Sequence, residues 1–182
     1  MDSQTRTRYS ATAIALHWLT AGLIVAGFTL GLSMVGLPFG RQKLQWYAWH
    51  KWVGITVWLI TCGRLAWRWT HPAPPMEPMP RWQRDAAAVS HALLYGLLLV
   101  IPISGWLYSS AAGVQVVYLG LVPLPDLVSK DRALADALRT VHVTLNFTLL
   151  TLVCIHSAAA LKHHFVDRDA VLTRMLPRSR NP

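Results

Sequence analysis

The chain has 182 residues, 53% of them hydrophobic and only 14% charged, with a mean hydropathy of +0.34. So few charges argue against an ordinary soluble surface and for several membrane spans joined by modest loops. The 17 Lys and Arg against 8 Asp and Glu give +9, but the excess lies between apolar runs, where membrane topology explains it without a nucleic-acid partner.

Taken in order, the first apolar run, about 13 to 35, follows a basic N-terminus but is too long for a signal peptide and lacks a small-residue cleavage site. It reads as a retained span. The second, about 48 to 69, has Trp46, Trp49 and Trp52 at one end and Trp67 and Trp69 at the other, with Trp82 beyond, as interfacial belts do. Trp52 equally suits a place beside a cofactor. The proline-rich HPAPPMEPMPRW stops this helix. The third run, about 88 to 109, contains Pro102 and Gly105, which predict a kink. The longest connection follows, and its VSKDRALADALRT predicts a short surface helix. The fourth run spans about 141 to 161. Each run has roughly the 20 residues a spanning helix needs, and helices satisfy their own backbone in lipid. The expected architecture is all-α, an integral membrane four-helix bundle forming one membrane domain over 1–182.

Eleven of the basic residues (Arg6, Arg8, Arg64, Arg68, Arg81, Arg84, Lys162, Arg168, Arg174, Arg178, Arg180) fall on the side of the termini and six (Arg41, Lys43, Lys51, Lys130, Arg132, Arg139) on the other. The richer side is expected to be cytoplasmic, placing both termini inside a bacterial inner membrane. Cys62 and Cys154 lie deep in apolar runs, and without a C-x-x-C-H run covalent haem attachment is not indicated.

The histidines carry the chemistry. His142 and His156 stand fourteen residues apart on the last run, so they leave nearly one helix face with about 21 Å of rise between them. One helix thus offers one nitrogen near each membrane surface, as two stacked haems require. Ionisable residues inside a span are costly and functional by default, though two polar residues packed between helices is the plain alternative. By depth, His17 and His156 can share an inner iron, with His91 the competitor for His17. His50 and His142 form the outer pair. Zinc prefers four close ligands, whereas these histidines separate into two distant pairs. Gly54 beside His50, and Ala13, Ala21 and Ala160 beside the inner ligands, leave room for a flat macrocycle. His71 reads as a loop residue, and His163 and His164, beside Lys162, as either snorkelling groups or a quinone-proton site.

The motifs RYSATAIALHWL, WHKWVGITVWLITCGRLAWRW, HALLYGLLLVIPISGW and HVTLNFTLLTLVCIHSAAALKHHFVDRDAVLTRMLPR together cover nearly the whole chain. With the H-x-A-A-A-L-x-H-H-F tail and the fourteen-residue histidine interval, the chain resembles the prokaryotic cytochrome b561 family. That family comprises four-helix dihaem membrane proteins related to the cytochrome b subunits of hydrogenases and formate dehydrogenases. The resemblance implies two haem b groups, His17 paired with His156 and His50 with His142, and so chooses His17 over His91. It associates Lys162 and His163 with quinone. Its small stand-alone members include a superoxide oxidase that passes electrons to ubiquinone.

The expected function is therefore electron transfer from superoxide outside to ubiquinone. Arg41, Lys43 and Lys51, with Arg139, form a basic rim suited to steering a small anion or to anchoring haem propionates or lipid headgroups. The rival is a relay subunit that docks a separate dehydrogenase or hydrogenase through residues 110 to 140. A redox partner protein and a second copy of the chain are both left open.

Overall fold

The computed structural model describes residues 8–177; Arg6, Arg178 and Arg180, counted above for orientation, lie outside them. Four long helices carry the fold: α1 (Ala11–Gly36), α2 (Arg41–Thr70), α3 (Arg81–Ala111) and α4 (Arg132–Lys162). Between α3 and α4 stands a small antiparallel hairpin, β1 (Val117–Tyr118) on β2 (Val122–Pro123), pairing Val117 with Pro123 and Tyr118 with Val122. Beyond α4 come a π-helical turn, His163–Asp167, and a 3-10 turn, Thr173–Met175.

Local chemistry sets these limits. Ser10 caps α1 by accepting from the Ala13 amide at 3.2 Å, and its hydroxyl also takes the Trp67 indole N–H at 3.2 Å, tying the start of α1 to the end of α2. Pro72 stops α2 at Thr70, because the residue before a proline is pushed out of the helical region. Asp131 caps α4 by accepting from the Leu134 amide at 3.0 Å. The short surface helix expected from VSKDRALADALRT is instead the opening of α4. The cap sits within that stretch, and no break separates Arg132 from the apolar run.

Backbone contacts follow chain order, α1 on α2, α2 on α3 and α3 on α4. The core lies midway along the bundle, with Val57, Leu98, Ile101 and Leu149 buried and Leu23, Ile24 and Phe28 of α1 and Leu145 and Val153 of α4 packed on them. The buried hydroxyls of Thr20 and Thr61 are satisfied within their own helices, Thr20 donating to Leu16 O and Thr61 to Val57 O, both at 2.7 Å. Much of the remaining apolar surface faces outward, including Leu19, Val25, Leu32, Leu59, Val100, Phe147 and Ile155. A surface of that kind requires lipid rather than water.

Helices α1, α3 and α4 are long and apolar enough to cross a membrane. The expected fourth span, α2, is as long but falls short in composition, because its 30 residues include Lys43, Lys51, Arg64, Arg68 and six tryptophans. At one end of the bundle, the terminal end, the start of α1, the α2–α3 connection and the close of α4 meet. Here Arg8 donates to Thr173 O (2.6 Å) and Leu176 O (3.0 Å), Trp18 to Met175 O (2.7 Å), and Arg174 pairs with Glu77 (2.6 Å). The opposite, hairpin end is held by Trp52 donating to Val117 O (2.7 Å) and Trp106 to Pro125 O (3.0 Å). Trp52 is thus a strut for the hairpin rather than a free interfacial ring, while Trp69 and Trp82 at the other end are largely exposed.

Candidate functional site

At the hairpin end His50, in the third turn of α2, faces His142 of α4. Their ring centroids are 6.2 Å apart with planes at 89°. The His50 Nδ1–H donates to Gly27 O on α1 at 3.0 Å. Ser104 donates its hydroxyl to Ile101 O (2.7 Å), so the 2.9 Å contact between Ser104 Oγ and His142 is a donation from His142 Nδ1–H, which also lies 3.2 Å from Ile101 O. Both rings therefore keep the Nε2 lone pair free, the tautomer a metal ligand needs.

Two glycines make these placements possible. A Cβ on Gly31 of α1 would lie 3.2 Å from His50 Cε1, and one on Gly105 of α3 only 2.9 Å from His142 Cε1. Gly105 was expected to act with Pro102 as a kink; its contact shows that it clears the His142 ring. On the two sides of the pair open clefts of about 560 and 470 Å³, sharing His50, Gly54, Pro102 and His142 as walls. Nothing lies within 4 Å of a Cβ built on Gly54, in line with the room expected there.

At the terminal end His156 of α4 stands between two candidates. His17 lies at 6.4 Å between centroids with planes at 58°, and His91 at 5.4 Å with planes at 66°. An imidazole nitrogen binds iron or zinc at about 2 Å and the ring centre lies about 1 Å behind it, so two rings on opposite sides of one metal have centroids about 6 Å apart. Both His50–His142 and His17–His156 meet that spacing, and His91–His156 is shorter. The two levels lie at opposite ends of the bundle, with the apolar core between them. The donor set is two imidazoles at the hairpin level and three at the terminal level, of which His17 and His156 have the spacing of a bis-histidine haem; neither level offers the four close ligands of zinc. One feature differs: Arg64 Nη2 donates to His17 Nδ1 at 3.3 Å, so that neutral ring carries its proton on Nε2.

The other predicted residues divide. Arg41 and Arg139 are exposed at the hairpin end. Lys43 donates to Leu37 O (2.8 Å) and Val35 O (3.3 Å), closing the C-terminus of α1. Lys51 is half-buried in the wall of the larger cleft. At the other end Lys162 pairs with Asp167 at 2.6 Å, while His163 Nδ1–H donates to Asp169 at 2.6 Å and lies 3.1 Å from Asp167. The π turn bends the chain so that both carboxylates reach back to these two residues, and Arg168 takes a left-handed φ of 57° as it ends. His71 stacks on Trp67 at 3.8 Å, as a loop residue. Sequence reasoning missed Arg64, Ser104 and Gly31. Only the rarity of an arginine inside a span marked the first of these.

One family model and three relatives bear on this arrangement. The family model described as "Prokaryotic cytochrome b561" matches residues 8–178. "Cytochrome b561 homolog 2" of Escherichia coli K12 is 36% identical over 97% of this chain and 95% of its own length. "Cytochrome b561 homolog 1" of the same organism is 32% identical, covering 94% and 98%. A "Probable superoxide oxidase CybB" of Yersinia pestis is 29% identical, covering 95% and 98%. With a helical bundle, three helices apolar enough to span and paired histidines between them, the match means a membrane electron-transfer protein for which the family implies b-type haem: the chain belongs to the prokaryotic cytochrome b561 family.

Proposed function

We propose that the chain holds two b-type haems, one between His17 and His156 and one between His50 and His142, and carries electrons from superoxide to ubiquinone across the inner membrane. The observation that carries this reading is the pair of axial spacings, 6.4 and 6.2 Å, at opposite ends of one bundle. Each haem, when bound, supplies a one-electron iron couple whose potential its surroundings set. The terminal end faces the cytoplasm, since it carries most of the Lys and Arg.

The residues then have separate tasks. His50 and His142 are oriented by their Nδ1 donations to Gly27, Ser104 and Ile101. Arg41, Lys51 and Arg139, with Lys43, bias the hairpin end positive and draw in a small anion. Ubiquinone binds at the terminal end near Lys162 and His163, where His163 and its two aspartates hold a proton in reach. The balance is two superoxide anions released as two O2, giving two electrons which, with two protons, convert one ubiquinone to ubiquinol. The relative named as a probable superoxide oxidase supports this substrate.

Purified protein mixed with superoxide and a soluble ubiquinone analogue tests it. His142→Ala should abolish reduction by superoxide, whereas His156→Ala should allow one haem to be reduced but stall transfer to quinone. Normal quinone reduction by the His156 variant would place quinone at the other level and end the transmembrane path. A relay subunit is the second reading, favoured by the apolar hairpin tip, where Leu121 is 80% exposed and Leu119 and Val122 stand beside it. A relay stays oxidised in superoxide until its partner protein is added.

A further inference from the structure

Arg64 is a cation in the terminal half of α2 with no carboxylate in ion-pair reach among the described residues, whose ion pairs all involve Lys162, His163 or Arg174. Its neighbours cannot neutralise it. They are His17, contacted through Nδ1 at 3.3 Å, and the face of Tyr95 at 5.3 Å from guanidinium carbon to ring centroid. A charge inside a membrane helix is costly and is ordinarily paired or functional, and a guanidinium matches a carboxylate through two parallel N–H donors.

The contact with His17 also runs against its ring's expected use. His50 and His142 donate from Nδ1 to protein oxygens, but His17 accepts there, which leaves the proton on the nitrogen that a metal would take. A group that drew Arg64 away would free His17 to adopt the tautomer of the other two.

We propose that Arg64 is the carboxylate-binding residue of the terminal-end haem site: it pairs with a propionate of the haem held by His17 and His156 and thereby releases His17 Nδ1. Tyr95 positions the guanidinium through its ring face. This rests on the two-haem reading above. A cation paired to the haem periphery favours the reduced iron, so its loss lowers the reduction potential of that haem alone.

The test is a spectroscopic redox titration of the purified holoprotein, with haem counted per chain. Arg64→Gln should lower the reduction equilibrium constant of the His17–His156 haem at least tenfold, 59 mV for a one-electron couple, and leave the His50–His142 haem unmoved as an internal control of folding. Arg64→Lys, which keeps the charge, should recover most of the shift. Two haems with unchanged potentials in Arg64→Gln would overturn the role of Arg64 alone, as would equal shifts of both haems. An unmoved potential is also what pairing with a lipid phosphate predicts. One haem per wild-type chain would overturn the two-haem reading and this proposal together.

Discussion

Replacing Gly105 with alanine tests the seating of His142 most directly. The new methyl would lie 2.9 Å from Cε1, 3.3 Å from Nδ1 and 3.6 Å from Nε2 of that ring, whereas carbon atoms rest at about 3.5–4.0 Å. Something must therefore yield by about 0.6 Å or more. The ring is poorly free to do so, because its Nδ1 is held by Ser104 and Ile101 on the same helix that carries Gly105. Overpacking of this kind costs about 1–3 kcal/mol, and one lost hydrogen bond adds about 1 kcal/mol. At about 1.4 kcal/mol per tenfold, haem retention at this level should fall by roughly thirtyfold to several hundredfold. Gly31→Ala, with its nearest contact to His50 at 3.2 Å, should be milder, and Gly22→Ala, with nothing within 4 Å, should be silent. A pyridine haemochrome count with low-temperature difference spectra of the purified variants reads the effect. Full retention in Gly105→Ala, or a larger loss in Gly31→Ala, would refute the steric argument.

The remaining expectations use the same preparation. His17→Ala and His156→Ala should lose the same haem while His91→Ala keeps both, so a missing haem in the His91 variant would promote that residue to ligand. Arg41→Gln with Arg139→Gln should slow reduction by superoxide at low ionic strength and matter less at high salt, because steering fades beyond about 10 Å at 0.1 M. A rate indifferent to both charges and salt removes the steering role. Lys43 is kept out of that pair, since its ammonium also holds the Leu37 and Val35 carbonyls.

Spacing along one helix was readable without coordinates. The His142–His156 interval gave depth and face because helical rise and rotation are fixed numbers, and the apolar runs marked four helices for the same reason. What lies across helices was not readable. That Gly31 meets His50, or that Gly105 clears His142, depends on how far one helix slides past the next, and no period in the sequence encodes it. The helix over VSKDRALADALRT was expected, but not its continuity with the fourth apolar run, because its first turns are polar and nothing in the sequence marks the absence of a break after the Asp131 cap. The second apolar run was expected to be a span, yet α2 falls short of the apolar composition of the other three helices. The side chains that spoil its hydropathy include His50, Lys51 and Arg64, which line or flank the two histidine levels.

The strap at the terminal end has a consequence for biosynthesis. Arg8 and Trp18 take their hydrogen-bond acceptors from Thr173, Met175 and Leu176, 157 to 168 residues later in the chain. During translation α1 must wait in the bilayer, with that guanidinium and indole unsatisfied by the protein, until the last described turn has left the ribosome. Closure of this end is then a late, long-range event. A fusion or truncation placed just after α4 would disturb the first helix made rather than the last.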